Sequence, residues 1–122
     1  MWRVLAFEDH VDIEAMLISG GVNMDEVHFV QRWTTEDALL HIAHESPDVL
    51  LLDHFIPPLT GLEVLLSHLR GAEAGGRRVP RIVAMSSEAS CNDAMVAAGA
   101  DEGVVKHRLA GCSFWSSLAT GR

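Results

Sequence analysis

Charged or hydroxyl-bearing residues stand where several short apolar runs end: Glu8, Asp9, Asp53, Ser86 and Lys106. Carboxylates that lie close together repel one another, and a hard divalent cation with oxygen ligands, above all Mg²⁺, relieves that repulsion. A carboxylate in such a site can attack phosphorus while the cation and an ammonium neutralise charge on the phosphoryl oxygens. These residue types therefore predict phosphoryl-group chemistry, provided that the fold brings them together.

Each of these residues also has an ordinary structural interpretation when it is considered alone. Asp and Glu at strand ends are frequent turn residues or helix caps, Ser86 could be a turn hydroxyl and Lys106 a solvated charge. The functional interpretation depends on all five side chains meeting at one edge of the fold.

The strands that must position these groups are predicted by five short apolar runs rich in branched residues. The runs cover residues 3–7, 27–30, 49–52, 81–85 and 103–105. The almost unbroken apolar run at 49–52 is typical of a strand that is buried on both faces of a parallel sheet.

Segments with helical spacing alternate with these runs, at residues 11–18, 36–44, 62–69, 94–98 and 109–118. This alternation predicts an α/β fold whose parallel sheet is covered by helices on both faces. In a doubly wound sheet the functional groups gather beyond the carboxyl ends of the strands. The five polar residues are therefore expected to converge on one edge of the sheet.

Finer features of the helices follow from local signals. Thr34 and Asp37 form a near capping box at the start of the second helix, whose apolar face is predicted to hold Ala38, Leu39, Ile42 and Ala43. Gly20 and Gly99 are predicted to end the first and fourth helices. Residues 71–78 are predicted to form a surface loop, and Trp2, Trp33 and Trp115 are predicted to pack inside the protein.

Length and composition limit the classes of function. The chain of 122 residues predicts a single domain spanning 1–122, with no output domain. Its net charge of −8, with no basic cluster larger than Arg77 and Arg78, argues against nucleic-acid binding. Cys91 and Cys112 lack a metal or disulfide spacing and fit reduced thiols in a cytoplasmic protein. The apolar start of the chain ends at Glu8, too early for a membrane span or a signal peptide.

Four segments resemble the receiver domain of two-component response regulators, from the first strand to the last helix. They are the acid pair Glu8-Asp9, residues 53–61 (DHFIPPLTG), Ser86 after the run 82–85, and Gly99-Ala100-Asp101 leading to Lys106. The resemblance implies a flavodoxin-like (βα)5 fold with a five-stranded parallel sheet of order 2-1-3-4-5.

The resemblance also implies a Mg²⁺ site and a phosphorylation site. Asp53 would accept the phosphoryl group and help to bind Mg²⁺. Asp9 would bind the ion directly, Glu8 mostly through water, and the backbone carbonyl of Phe55 would be a further ligand.

Other residues would act on the phosphoryl group itself. Lys106 would pair with a phosphoryl oxygen, and the Ser86 hydroxyl would move in to bond it. Ser87 adds a second hydroxyl where the family more often has alanine, while Phe55 and Glu88 occupy positions that tend to set the rate of hydrolysis.

By the same resemblance, the phosphoryl donor would be a sensor histidine kinase or a histidine phosphotransfer protein. The signal would pass through altered affinity for a downstream protein or for a second copy of the chain, with no nucleic acid and no membrane as partner. The domain would catalyse its own phosphorylation and dephosphorylation at Asp53 without turning over an external substrate.

Three departures from the family pattern concern the output side. The family usually has proline after the lysine, often following a cis bond, whereas this chain has His107; a cis bond without proline costs about 2.5–4 kcal/mol. Gly103 stands where a tyrosine or phenylalanine usually acts as a switch. The stretch from Ser86 to Gly99 is also about two residues shorter than the family norm.

Several alternatives remain. An atypical receiver could act as a phosphorylation-independent interaction module, and a flavodoxin-like nucleotide binder would share the fold, although Glu8, Asp9 and the following His10 would disfavour a phosphate there. His41 and His44 could share a metal but lack an evident third ligand. His10 and His54 would flank the acidic pocket and could make the chemistry sensitive to pH.

Overall fold

The computed structural model describes residues 1–75 and 79–119, in which five parallel strands form one sheet of order β2-β1-β3-β4-β5. The strands are β1 (Trp2–Phe7), β2 (Val27–Arg32), β3 (Val49–Leu52), β4 (Arg81–Ala84) and β5 (Glu102–Gly103). All pairings are parallel. The predicted α/β fold and strand order are confirmed.

Five α-helices and one 3₁₀ helix connect or follow the strands. They are α1 (Ile13–Ser19), α2 (Ala38–Glu45), α3 (Gly61–Gly75), α4 (Ala89–Ala98), the 3₁₀ helix Lys106–Gly111 and α5 (Phe114–Ala119). No helix within the described ranges is both long and apolar enough to cross a lipid bilayer.

The sheet separates two apolar clusters, because successive residues of a strand point to opposite faces. Along β3, Leu50 and Leu52 belong to the cluster formed with α2, α3 and α4. Val49 and Leu51 belong to the cluster formed with α1 and α5. All four side chains are buried, which explains why this strand has no polar residue.

Two predicted helix boundaries are wrong. The Thr34 hydroxyl accepts a bond from the Glu36 N–H in a turn, and α2 begins only after Asp37, whose φ of 54° is not helical. Residues 71–75, predicted as loop, continue α3, because burial of Ala72 (2% exposed) holds that turn against the protein. The rest of the predicted loop, with Arg77 and Arg78, lies outside the described residues.

The C-terminal helix also differs from its prediction. Residues 109–111 belong to the 3₁₀ helix, and α5 begins at Phe114. Leu109 is fully buried and its carbonyl accepts a bond from the Trp115 indole N–H at 2.9 Å, so the turn between the two helices is fixed by packing.

Some residues predicted to be buried are exposed. On α2, Ala38 and Ile42 are buried as predicted, whereas Leu39 and Ala43 are exposed because only a narrow stripe of this short helix faces the sheet. Trp33 is 49% exposed just after β2, so the packing prediction holds for Trp115 and not for Trp33. Gly20 and Gly99 follow the ends of α1 and α4 as predicted.

Candidate functional site

Glu8 and Asp53 lie side by side because they follow two neighbouring strands in register. Phe7, the last residue of β1, pairs with Leu52, the last residue of β3. The Asp53 N–H then donates to the Phe7 carbonyl at 3.1 Å, which continues the ladder by one residue. Both acids are buried, with 0% of Glu8 and 4% of Asp53 exposed.

Lys106 joins the two carboxylates at this edge. Its Nζ lies 2.7 Å from Glu8 Oε1 and 3.6 Å from Asp53 Oδ2. Lys106 is the first residue of the 3₁₀ helix, three residues after β5. The sheet therefore brings together Glu8, Asp53 and Lys106, as the sequence predicted, with the ammonium closer to Glu8 than to Asp53.

Both carboxylate oxygens of Glu8 have partners, Oε1 in the Lys106 ammonium and Oε2 in the backbone. Its Oε2 accepts hydrogen bonds from the backbone N–H groups of His10 (2.8 Å) and Val11 (3.1 Å). The Gln31 side chain fixes the same loop by donating to the Glu8 and Val11 carbonyls and accepting from the Ile13 N–H. Gln31 was missed in the sequence, where a polar residue at the end of an edge strand gives no signal of this role.

Asp9 is the more accessible acid of the pair. Its Oδ1 lies 2.8 Å from His10 Nδ1, and the side chain of His10 is 81% exposed. This hydrogen bond and the charge of Asp9 raise the pKa of His10. One ligand atom each from Glu8, Asp9 and His10 lies within 4.8 Å of the others. No other trio of such side chains is so placed within the described ranges, so His41 and His44 gain no third ligand there.

The charges at this edge are unbalanced. Burial and the negative charge of Glu8 raise the pKa of Asp53, although Lys106 acts in the opposite direction. Burial alone would lower the pKa of Lys106, but the bond to Glu8 and the charge of Asp53 outweigh it and the pKa is raised. Lys106 therefore stays charged at neutral pH, and its one positive charge only partly offsets the two acids beside it.

Asp53→Asn is expected to stabilise the metal-free protein at neutral pH. Because the folded state raises this pKa, it holds the proton to higher pH than the unfolded chain does, and stability falls as pH rises through the folded pKa. Asparagine removes that cost while its oxygen can still accept from the His54 N–H, at 2.9 Å in the wild type. We therefore expect the variant to have the higher Tm at neutral pH.

Thermal unfolding in EDTA across a pH series would measure this gain. The difference should disappear below about pH 4, where Asp53 is protonated in both states. Asp93→Asn removes an exposed carboxylate of α4 and should leave Tm nearly unchanged. A wild type at least as stable as Asp53→Asn at pH 7 would contradict the prediction.

The predicted phosphoryl-contact residues lie on the next strand and loop. Ser86 is fully buried after β4, and its Oγ accepts a bond from the Glu88 N–H at 3.1 Å. The hydroxyl thus bonds the loop that begins α4. Ser87 and Glu88 are exposed beside it. Phe55 is 58% exposed, and its ring packs edge-to-face on His54 with centroids 4.8 Å apart.

The sequence departs from the family pattern at His107 and Gly103, and the structure shows what lies at both positions. The one cis peptide bond within the described ranges joins Pro57 and Pro58, so the bond between Lys106 and His107 is trans. A 3₁₀ helix begins at Lys106 and includes His107. Gly103 is packed closely by α4, since an added Cβ would lie 2.9 Å from Asn92 Cβ.

Asn92 is a buried polar residue that sequence reasoning missed. It is 3% exposed, and its carboxamide bonds the backbone of Ser86 and the Val104 carbonyl. Its position three residues before the buried Met95, on the same face of α4, is the signal that could have identified it.

The loop between β3 and α3 is clamped by Thr35. The Thr35 hydroxyl donates to the Leu59 carbonyl and accepts from the Leu59 N–H, both at 2.7 Å. The Thr35 N–H donates to the Pro57 carbonyl at 2.9 Å. Thr35 is fully buried, so this loop, which follows Asp53, is tied to the loop that precedes α2.

Solved structures share this fold across almost the whole chain. A CheY-like response regulator receiver domain protein from Methanospirillum hungatei JF-1 superposes with a TM-score of 0.74 at 18% identity, covering 98% of this chain and 92% of that one. The receiver domain of a DNA-binding response regulator (merR) from Colwellia psychrerythraea 34H gives 0.71 at 18% identity, covering 98% and 97%. The response regulator domain of Thermotoga maritima CheB gives 0.69 at 19% identity, covering 98% and 89%.

Sequence comparison alone gives no relative. No model of a known protein family matches the chain, and no curated protein matches it. The similarity lies in the strand order, the helix placement and the length covered. Over nearly all of its residues, this chain has the same fold as response regulator receiver domains.

Proposed function

We propose that the chain is a phosphorylation-dependent receiver that accepts a phosphoryl group on Asp53 and signals through altered affinity for other proteins. The observation that carries this proposal is the position of the Lys106 ammonium, 2.7 Å from Glu8 and 3.6 Å from Asp53 at the carboxyl edge of a receiver fold. A partly buried lysine beside two buried acids is suited to binding the oxygens of a phosphoryl group.

A divalent cation fits the donor set. Glu8 and Asp53 share one ammonium, and Asp9 adds a third carboxylate close to Glu8, so oxygen ligands and negative charge are in excess. Asp9, Asp53 and the Phe55 carbonyl would hold Mg²⁺, with Glu8 binding mostly through water because its own oxygens are already engaged. When bound, Mg²⁺ would neutralise charge on the phosphoryl oxygens.

The transfer itself needs only a nucleophile and a charged partner from this chain. An oxygen of the Asp53 carboxylate forms the new O–P bond as the P–N bond of a phosphohistidine donor breaks. The electron pair of the broken bond leaves with the imidazole nitrogen. Lys106 is placed to bind a phosphoryl oxygen, and Ser86 could follow if its hydroxyl leaves the Glu88 N–H.

Asp53→Asn is expected to abolish phosphorylation completely, because the amide is not a nucleophile toward phosphorus. The full chain would be incubated with Mg²⁺ and acetyl phosphate, and the added phosphoryl mass measured by mass spectrometry. The wild type should gain one phosphoryl group that hydroxylamine removes. Asp93→Asn is the matched control, since it changes an exposed carboxylate on α4 and should be phosphorylated like the wild type.

A wild type that gains no phosphoryl group under these conditions would contradict the proposal. It would favour an interaction module of the same fold that works without phosphorylation. The closer pairing of Lys106 with Glu8 than with Asp53 is the feature that favours this second candidate.

The partners follow from the same proposal. Residues 1–122 act as one receiver domain in the cytoplasm. A sensor histidine kinase or a histidine phosphotransfer protein would supply the phosphoryl group. The phosphorylated chain would bind a downstream protein or a second copy of itself. We propose no nucleic-acid or membrane partner, in keeping with the charge of −8.

A further inference from the structure

The carboxamide of Asn92 connects two neighbouring strand ends through one helix. Its Oδ1 accepts a hydrogen bond from the Ser86 N–H at 2.8 Å, and its Nδ2 donates to the Ser86 carbonyl at 2.9 Å. The same Nδ2 donates to the Val104 carbonyl at 3.0 Å. One side chain of α4 therefore bonds both backbone groups of Ser86, two residues after β4, and the carbonyl of Val104, the residue after β5.

Breaking the hydrogen bonds between Asn92 and the Ser86 backbone is costly. Asn92 is 3% exposed and Ser86 is fully buried, so water has little access to the groups that would be left without partners. A buried polar group that loses its partner bears the full cost of its own desolvation. The backbone of Ser86 is therefore expected to move together with Asn92.

Gly103 allows α4 to lie close enough for these bonds. A Cβ at residue 103 would stand 2.9 Å from Asn92 Cβ and 3.3 Å from Val96 Cγ2. Contacts this short require the neighbour to shift. The distance between α4 and β5 and the bonds of Asn92 consequently depend on each other.

Ser86 has two possible hydrogen-bonding states. In this structure its hydroxyl accepts from the Glu88 N–H at the start of α4. If the hydroxyl turns to donate to a phosphoryl group on Asp53, its bond with the Glu88 N–H lengthens or breaks, which alters the turn between Ser86 and α4. Asn92 also bonds the Ser86 backbone. The change therefore reaches α4 both through Glu88 and through Asn92.

We propose that Asn92 is a positioning residue that couples Ser86 to the packing of α4 against β5, so that a phosphoryl group on Asp53 changes the surface formed by α4 and β5. This inference rests on the proposed function, since the group must form at Asp53. Asn92 also reaches to within two residues of Lys106, through the bond to Val104. One carboxamide thus bonds the backbone of Ser86 and the backbone just before Lys106.

The test compares the response of α4 with the response of the site. The full chain would be titrated with beryllofluoride and Mg²⁺, a non-covalent mimic of the phosphoryl group, while amide NMR signals are followed. In the wild type, the signals of residues 53–54, 106 and 89–98 should all shift. In Asn92→Leu, which keeps similar volume without hydrogen bonds, the shifts at 89–98 should be lost while those at 53–54 remain.

Two further variants sharpen the comparison. Asp93→Asn changes the exposed neighbour on α4 and should respond like the wild type. Gly103→Ala keeps the carboxamide but forces α4 away from β5, and it should also reduce the shifts at 89–98. If Asn92→Leu does not fold, Gly103→Ala decides the question.

The outcomes separate the two proposals. Binding at residues 53–54 with an undiminished α4 response in Asn92→Leu, or in Gly103→Ala where it decides, would overturn the role of Asn92. A wild type whose site shifts while α4 does not would overturn it as well. If no signal of the wild type shifts at any concentration, the proposed receiver function itself fails.

Discussion

Lys106→Met is expected to destabilise the metal-free protein by about 3 kcal/mol, since removing one member of a buried ion pair leaves the other charge uncompensated. Glu8 is fully buried, and Oε1 faces Lys106 at 2.7 Å while Oε2 is bonded by two backbone N–H groups. Methionine keeps the length of the side chain but offers no charge. Chemical denaturation at neutral pH would measure the loss.

The double variant Glu8→Gln/Lys106→Met should recover part of that stability, because residue 8 then carries no charge that needs the ammonium, although Asp53 still lacks its positive partner. Arg108→Met is the matched control, since it removes an exposed positive charge from the same 3₁₀ helix and should change stability little. A Lys106→Met variant as stable as the wild type would show that the ion pair does not hold this edge together.

Gly61→Ala is expected to cost about 2–3 kcal/mol and to slow phosphorylation, because overpacking against backbone cannot be relieved by rotating a side chain. Gly61 is the first residue of α3, and an added Cβ would clash with the carbonyl oxygen of Asp53. It would also lie 2.9 Å from the Asp53 carbonyl carbon and 3.1 Å from His54 Cα. Relief requires α3 or the Asp53 backbone to move.

Gly111→Ala is the matched control for Gly61→Ala. Gly111 ends the 3₁₀ helix, and nothing lies within 4 Å of an added Cβ there. Stability should stay the same or rise by less than about 1 kcal/mol. Thermal unfolding and the rate of phosphorylation by acetyl phosphate would be compared for both variants. Equal behaviour of the two glycine positions would contradict the predicted clash.

The strands were predictable where burial alone determines them. Residues 49–52 match β3 at both ends, because a central strand buried on both faces admits no polar residue and is bounded by Asp48 and Asp53. The fifth strand was predicted at 103–105 but consists of Glu102–Gly103. Pairing with Val83 and Ala84 of β4 determines this short edge strand, and apolar character does not.

The helix ends were less predictable, since tertiary packing decides them. The glycines at 71 and 75 favour a loop by local preference, but α3 continues through both because Ala72 is buried. Residue 109 was predicted to lie in the last helix, and its side chain is buried. Its backbone is nevertheless in the 3₁₀ helix.

The charged residues of the site could be read from the sequence because each directly follows a strand or lies close to the end of one. Glu8, Asp53 and Lys106 need only the rule that parallel strands end at one edge. Asn92 and Gln31 bond backbone groups of distant segments, and those partners cannot be identified before the loops are known. The meeting of these three charges was thus predictable, and the bonds made by the two carboxamides were not.

The clamp made by Thr35 affects the thermodynamics of binding at this edge. A loop that is ordered only when a ligand arrives loses conformational entropy at that moment, roughly 1–2 kcal/mol for each residue fixed. The bonds from Thr35 to Pro57 and Leu59 order the loop after Asp53 beforehand. A ligand or partner docking on Phe55 and the two prolines therefore meets a rigid surface, and its binding should show a small entropic penalty in calorimetry.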